Sequence, residues 1–316
     1  MKLSIVLCAV ALAAALSTSA RAGRRFAKYS ALGNDYIVLD PADWPEPPST
    51  EAIRRICDRH RGVGSDGILY GPTTRTEPFG LRLFNPDGGE FEKSGNGLRI
   101  FARYLWDRRL PQGREFRIDT PGGEVTAHLL DEQGTRIAMD MGRLSFDSRK
   151  VPVSGSPREV LDEEVKVGDE ALRINAVTIG NPHCVVFLDG AGAALARRLG
   201  GLGRELALAI GPQLETLPLY PARTNVQFAE VIDRHTLRME IWERGAGYTL
   251  ASGTSSCAVA AAAHRRGLVD REVSVQMPGG VLEMTVGEGY AMRLRGPVEE
   301  VASGDFSPDL LRRLTA

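Results

Sequence analysis

The sequence predicts an α+β fold of two similar, pseudo-symmetric halves, each a curved, mostly antiparallel sheet around a central helix. Three observations predict it. First, one order of elements occurs twice: Ser-Gly turn, helix, strand, Pro-Gly-Gly turn, strand. It starts at Ser94 and again at Ser252, 158 positions on, and the Pro-Gly-Gly triplets start at Pro121 and Pro278, 157 positions apart. Second, residues 100–106 and 258–263 are apolar on nearly every side, the mark of buried helices. Third, "FRIDT", "RIAMDM", "TLRMEIW" and "AMRLRG" alternate apolar and polar residues in the manner of strands.

Taken in chain order, residues 1–22 differ from the rest. Lys2 is followed by a weakly polar to apolar run at 3–16 and by Ala20-x-Ala22, the layout of a secretory signal peptide. The run is short for a membrane span. An exported protein is therefore expected if that leader is real, and a cytoplasmic one if it is an over-extended start. Residues 23–150 form the expected first half and 151–316 the second, with "VPVSGSPR" at 151–158 as the linker.

Within the halves, polar punctuation marks a ligand site. "LGNDY" puts Asn34 and Asp35 after Gly33. "RGVGSDG" at 61–67 is a glycine-rich turn between a helix pattern and a strand. "FNPDGGE" puts Asn85 before a tight turn. "GNPHC" sets Asn181 and His183 around Pro182. "RTNVQF" puts Asn225 at a strand start, and "WERGAGY" puts Glu243 and Arg244 at a strand end. Arginine can clamp a carboxylate with two bonds, and asparagine amides both donate and accept. Taken singly, Asn and Asp in turns are ordinary turn chemistry.

The two Ser-Gly turns carry most of the argument. A helix start offers unpaired N–H groups and a partial positive charge, and glycine lets a ligand approach that backbone. Ser94 and Ser252 alone would be plain N-caps. In facing halves, both helix starts would point into one cleft and hold an anion between two hydroxyls. A group on each face of one carbon suits stereochemical inversion. Lys93, beside Ser94, reads as a solvated charge.

The net charge of -1 over 316 residues, 25% of them charged, shows no basic surplus for nucleic acid and no acidic surplus for disorder. If Cys8 leaves with the leader, Cys57, Cys184 and Cys257 remain. They form neither a disulfide framework nor a zinc cluster, and each reads as a small buried hydrophobe. No second segment could span a membrane. No cofactor or metal is expected, and the expected partner is a small molecule. A homodimer is expected only on the base rate.

Together "KYSALGNDY", "FNPDGGEFEKSGNGLRIFARYL", "GNPHCV" and "ERGAGYTLASGTSSCA" resemble the diaminopimelate epimerase family, in order, from about Phe26 to Pro297. The resemblance implies a cofactor-independent epimerase with its site between the halves. It implies that Asn34, Asn85, Asn181, Asn225 and Arg244 bind the substrate's carboxylates and amine. The backbone of Gly95, Asn96, Gly253 and Thr254 would hold the reacting α-carboxylate. His183 and Glu243 would assist proton handling. Ser94 and Ser252 fall where the family has its two acid–base cysteines. Tyr248 stands where the family usually has glutamate, and Ser30 and Ala31 depart from its usual His-Gly.

A thiol titrates near neutral pH and a hydroxyl does not, so serine needs an adjacent base. Three activities therefore stay open at this level: amino-acid epimerisation, a same-fold dehydration or double-bond shift with one-sided proton abstraction, and binding without catalysis. Outside the cytosol two facing thiols would tend to oxidise, a fate that two serines avoid.

Overall fold

The computed structural model describes residues 24–314, and the leader-like segment 1–22 lies outside the described residues. The chain opens with a hairpin of β1 (Arg25–Ala31) and β2 (Asn34–Leu39), then α1 (Thr50–Cys57) and β3 (Ile68–Tyr70). Short strands β4 (Phe79–Gly80), β5 (Arg82–Phe84) and β6 (Glu90–Phe91) lead to α2 (Gly95–Asp107). Strands β7 (Glu115–Asp119), β8 (Val125–Leu129) and β9 (Arg136–Arg143) follow.

The second half repeats the plan and adds to it. It comprises β10 (Glu163–Val167), β11 (Glu170–Thr178), β12 (Pro182–Phe187), α3 (Gly190–Arg198), α4 (Arg204–Glu215), β13 (Asn225–Asp233), β14 (Thr236–Glu243) and β15 (Gly247–Thr249). Then come α5 (Gly253–Arg265), β16 (Glu272–Met277), β17 (Gly280–Val286) and β18 (Ala291–Pro297). The chain closes with β19 (Glu299–Asp305) and α6 (Pro308–Leu314).

Helices α2 and α5 each span 13 residues, and both their ends are 158 positions apart. Their local causes match too. Ser94 caps α2 at φ -137°, ψ 123°, with Oγ accepting from Gly97 N at 3.0 Å. Ser252 caps α5 at φ -147°, ψ 123°, with Oγ accepting from Ser255 N at 3.4 Å. Each thus satisfies one of the donors that a helix start leaves unpaired. Both helices are buried almost along their whole length, and their side chains share one core cluster. The run of alanines in α5 keeps it slender enough for the sheet to wrap it closely.

Two sheets do the wrapping. The smaller runs β19-β1-β2-β3-β5-β6. The larger runs β10-β11-β12-β13-β14-β16-β17-β18-β9-β8-β7-β4, with β15 on β14. Pairing is antiparallel except at β2–β3, β4–β7, β12–β13 and β14–β16. Because β18 pairs with β9, from Ala291 opposite Arg143 to Pro297 opposite Arg136, the larger sheet is continuous across both halves. A second core cluster lies under α3 and α4, and a third joins Trp44, Ile53 and Ile56 to Phe306 and Leu310.

Two features differ from the linear reading. The connection at 151–158 is irregular but not loose, since Val151 and Val153 are buried in the second cluster. The chain's end also crosses back. β19 pairs with β1, from Arg25 opposite Asp305 to Ser30 opposite Glu299. Phe306 then packs on Phe26 and Trp44 at ring distances of 5.0 and 5.4 Å. Residues 299–314 therefore sit with the first half, because β1 needs a partner on its outer edge. Among the described residues no helix is long and apolar enough to cross a membrane.

Candidate active site

The two Ser-Gly turns meet head to head. A β-carbon on Gly95 would stand 3.1 Å from Gly253 Cα, and one on Gly253 3.1 Å from Gly95 Cα. Only glycine allows both helix starts to come this close. Gly97 and Ser255 give their N–H groups to the serine caps. The amides of Gly95, Asn96, Gly253 and Thr254 remain as each helix's unpaired first donors. Two partial positive ends converge on one point, an arrangement suited to a carboxylate.

Side chains of both halves tie this junction together. Asn96, 2% exposed, donates from Nδ2 to Asn34 Oδ1 at 3.1 Å and to Ala251 O at 3.2 Å. Asn34 in turn donates to Asp66 Oδ2 at 3.0 Å. Arg99, fully buried, donates to Gly95 O at 3.2 Å and Asn96 Oδ1 at 2.9 Å, so it holds the first turn of α2 from behind. Behind Asn34, Asp35 is paired with Lys28 at 2.8 Å and Arg59 at 2.7 Å. Burial acts to raise the Asp35 carboxyl, but hydrogen bonds and charge from Arg59 and Lys28 outweigh it and hold it at about 2.

Each serine has its own neighbour. On the second half, burial raises the pKa of the Glu243 carboxyl, and Ser252 acts in the opposite direction. On the first half, burial pushes the Tyr36 phenol well up, and Ser94 and Asn34 act in the opposite direction. Ser252 is 5% exposed and its Oγ is also 3.4 Å from Thr254 Oγ1. In the second half a row runs across the sheet. His183 on β12 stands opposite Asn225 on β13, and Asn225 is one step from the Val226–Trp242 pair, opposite Glu243 on β14.

His183 is fully buried, and its Nε2 is 3.0 Å from Asn181 Oδ1. Gln227 flanks the ring and donates to Ser255 Oγ at 3.0 Å. Burial pushes the imidazole down to about 3, so it is neutral near pH 7. This fixes a sign. Between about pH 6.5 and 3 the unfolded chain binds a proton that the folded chain does not, so stability falls as pH drops through that window, by about 1.4 kcal/mol per unit at most. Urea titrations at pH 6.5 and 4.5 are expected to show that loss, and His183→Gln is expected to flatten it. A slope unchanged in the variant refutes the assignment. The Asp35 contribution, with a folded pKa of about 2, enters only below about pH 4.

The fold thus brings Asn34, Ser94, Gly95, Asn96, Glu243, Ser252, Gly253 and Thr254 to one junction, with Asn181, His183 and Asn225 beside it. Asn225 is spent on structure, donating to Pro182 O at 2.9 Å and accepting from Arg244 N at 2.9 Å. Two expected ligands are exposed. Asn85 is exposed on its turn, and the exposed Arg244 guanidinium donates to Ala222 O at 3.1 Å. Tyr248, in the family's glutamate position, donates to Glu240 Oε2 at 2.8 Å. Lys93 is not a solvated charge. It turns inward, donates to Met141 O at 3.2 Å, and burial lowers its pKa. The backbone forces this, because the residue before an inward-facing cap has the core side left to it.

Four residues at the junction were not singled out by the motifs: Tyr36, Asp66, Arg99 and Gln227. Arg99 had a visible signal, a charge inside an otherwise apolar helical run. The thiols of Cys57, Cys184 and Cys257 are free and buried, and burial pushes them up to about 11, 12 and 12 respectively.

This geometry has counterparts. A family model described as diaminopimelate epimerase matches residues 26–146 and 175–298. "Diaminopimelate epimerase 2" of Nostoc sp. is 47% identical over 287 residues, 90% of this chain and 96% of that protein. "Diaminopimelate epimerase" of Pelotomaculum thermopropionicum is 36% identical over 290 residues, 89% of this chain and 98% of that one. Among solved structures, a probable proline racemase of Agrobacterium radiobacter superposes with TM-score 0.64 at 15% identity, covering 90% of this chain and 93% of its own. A hydroxyproline epimerase of Agrobacterium vitis gives 0.63 at 15%, covering 92% and 94%. At that identity the structural likeness is one of fold.

Proposed function

The chain belongs to the diaminopimelate epimerase family, and from that premise we propose that it inverts an α-carbon of diaminopimelate through Ser94 and Ser252. It is a cofactor-independent amino-acid epimerase working by acid–base proton transfer at that carbon. The observation that carries the residue assignment is the head-to-head contact of two serine-capped helix starts at Gly95 and Gly253.

In this reading the four first-turn amides of Gly95, Asn96, Gly253 and Thr254 hold the α-carboxylate and stabilise charge that spreads onto it as the α-proton leaves. Asn34 and Asn96 hold the same end of the substrate, and Asn181 is a further polar contact. Arg244 and Asn85, both exposed, meet the distal carboxylate and amine. One hydroxyl removes the proton and the other delivers one to the opposite face. Glu243 supplies the base that serine lacks, and its raised pKa brings it toward the range where proton exchange is efficient. His183, neutral, orients Asn181.

The wider setting belongs to the same proposal: a step toward lysine and peptidoglycan, an exported protein if segment 1–22 is a leader, and a homodimer. The test is incubation with LL-diaminopimelate and a panel of amino acids in D2O. Deuterium at the α-carbon with inversion is the expected result. Exchange or a new product without inversion moves the protein to a one-sided isomerase or dehydratase, and affinity without exchange makes it a binding protein.

A further inference from the structure

The junction carries a positive charge that no group of the chain answers. Arg99, in the second turn of α2, is fully buried. Its Nη1 donates to Gly95 O at 3.2 Å and its Nη2 to Asn96 Oδ1 at 2.9 Å, and both acceptors are neutral. Its Nε meets no acceptor among the described residues. The guanidinium lies over Gly296 of β18, where a β-carbon would stand 3.2 Å from Nε. Among the described residues Arg99 enters no ion pair, and the one ionisable group that acts on it is the Cys257 thiol. Burial pushes that thiol up to about 12, so it is neutral near pH 7.

Burying a charge without a counter-charge is costly. Here the cost is compounded, because the partial positive ends of α2 and α5 converge on the same junction. The repeat shows that the helix itself does not require the cation. Arg99 and Cys257 are 158 positions apart, the spacing of the two serines, and Cys257 is just as buried and uncharged. The second half builds the same helix start without a guanidinium.

Two routes lead from Arg99 to the cleft. The first is the Gly95–Asn96 peptide. Arg99 draws on its carbonyl, and the N–H of the same peptide, on the opposite side, is one of the unpaired first-turn donors. A cation on the carbonyl makes that N–H a stronger donor. The second is a chain of amides. A guanidinium only donates, so Asn96 offers it Oδ1 and turns Nδ2 to Asn34 Oδ1 at 3.1 Å. Asn34 Nδ2 then donates to Asp66 Oδ2 at 3.0 Å, and a carboxylate only accepts. The two ends fix the direction of each bond between them. Asp66 itself is already paired with Arg59 at 2.6 Å.

We infer that Arg99 is a positioning residue whose counter-ion is the ligand: its buried charge is answered by the carboxylate held at the two helix starts, through the Gly95–Asn96 peptide and the Asn96 amide. The inference deepens the epimerase reading and rests on it for the identity of that carboxylate. As the α-proton leaves, negative charge grows on the carboxylate oxygens, and the strengthened Asn96 N–H is worth more there than in the bound ground state.

The test compares the unaltered protein with Arg99→Met, which removes the charge at similar length, and Arg99→Lys, which keeps it. By calorimetry at pH 7, Arg99→Met is expected to bind LL-diaminopimelate roughly 10- to 100-fold more weakly, the worth of a hydrogen-bonded charge, while Arg99→Lys keeps most of the affinity. A buried lysine titrates below its ordinary range and an arginine stays charged. Arg99→Lys should therefore lose affinity relative to the unaltered protein as pH rises from about 7 to 9. A purely structural role would lower the melting temperature and leave the affinity of the folded protein alone. Acetate against chloride at equal ionic strength gives a substrate-free arm: it should raise the melting temperature of the unaltered protein and not that of Arg99→Met. Equal affinities in the unaltered protein and Arg99→Met, a parallel pH profile for Arg99→Lys, or equal acetate shifts overturns the inference. Should Arg99→Met fail to fold, the Arg99→Lys profile decides. An acetate shift confined to the unaltered protein, with no α-hydrogen exchange in D2O, overturns the epimerase reading and leaves the counter-ion standing.

Discussion

Changing Ser252 to alanine is expected to lower inversion by roughly 10²–10⁴-fold, the usual worth of a positioned acid–base group. The hydroxyl is the only proton carrier between Glu243 and the cleft in the proposed mechanism. The fold should survive, because the loss is that of one cap, about 1 kcal/mol. Thermal unfolding beside the D2O assay separates the two effects. A variant that melts near the parent temperature and still inverts at more than a tenth of the parent rate would remove Ser252 from the chemistry. Deletion of Ser94 should be comparably damaging, with a clearer cap penalty, since its bond to Gly97 N is 3.0 Å against 3.4 Å for the Ser252 cap.

The reverse substitution should act in the other direction. Ser94→Cys with Ser252→Cys is expected to raise inversion of diaminopimelate by roughly 10²-fold or more, the scale on which a pKa-matched acid–base pair works. A thiol titrates at about 8.5 and a helix start lowers that further, and here both thiols would sit at helix starts. The same change should make the enzyme sensitive to oxidants, with activity restored by reductant. No gain in reductant would mean that diaminopimelate is the wrong substrate.

The sequence carried the site's frame because that frame is repeated. Ser94 and Ser252, the glycines after them and the buried helices recur at one spacing, and repetition lifts ordinary N-caps out of the background. What stayed hidden depends on three-dimensional company. Tyr36 reads as one more aromatic strand residue until β2 and β3 are set in register. Lys93 reads as solvated until the cap beside it takes the cleft side. Helix α3 is rich in glycine, alanine and arginine, α4 carries a glycine and a proline in its interior, and the pair docks through a few residues such as Leu195, Leu206 and Leu214. Strand β19, "EEVASGD", is exposed along nearly its whole length. It has no apolar alternation to betray it, because backbone pairing with β1 is what holds it.

That last strand sets an order of events on the ribosome. The edge of β1 stays open until the entire second half has been synthesised, so the first half, though made first, is completed last. For most of translation the nascent chain carries an unpaired strand edge, the kind of template on which misassembly starts. A truncation after Val298 would therefore strip the opening hairpin of its guard rather than trim a tail.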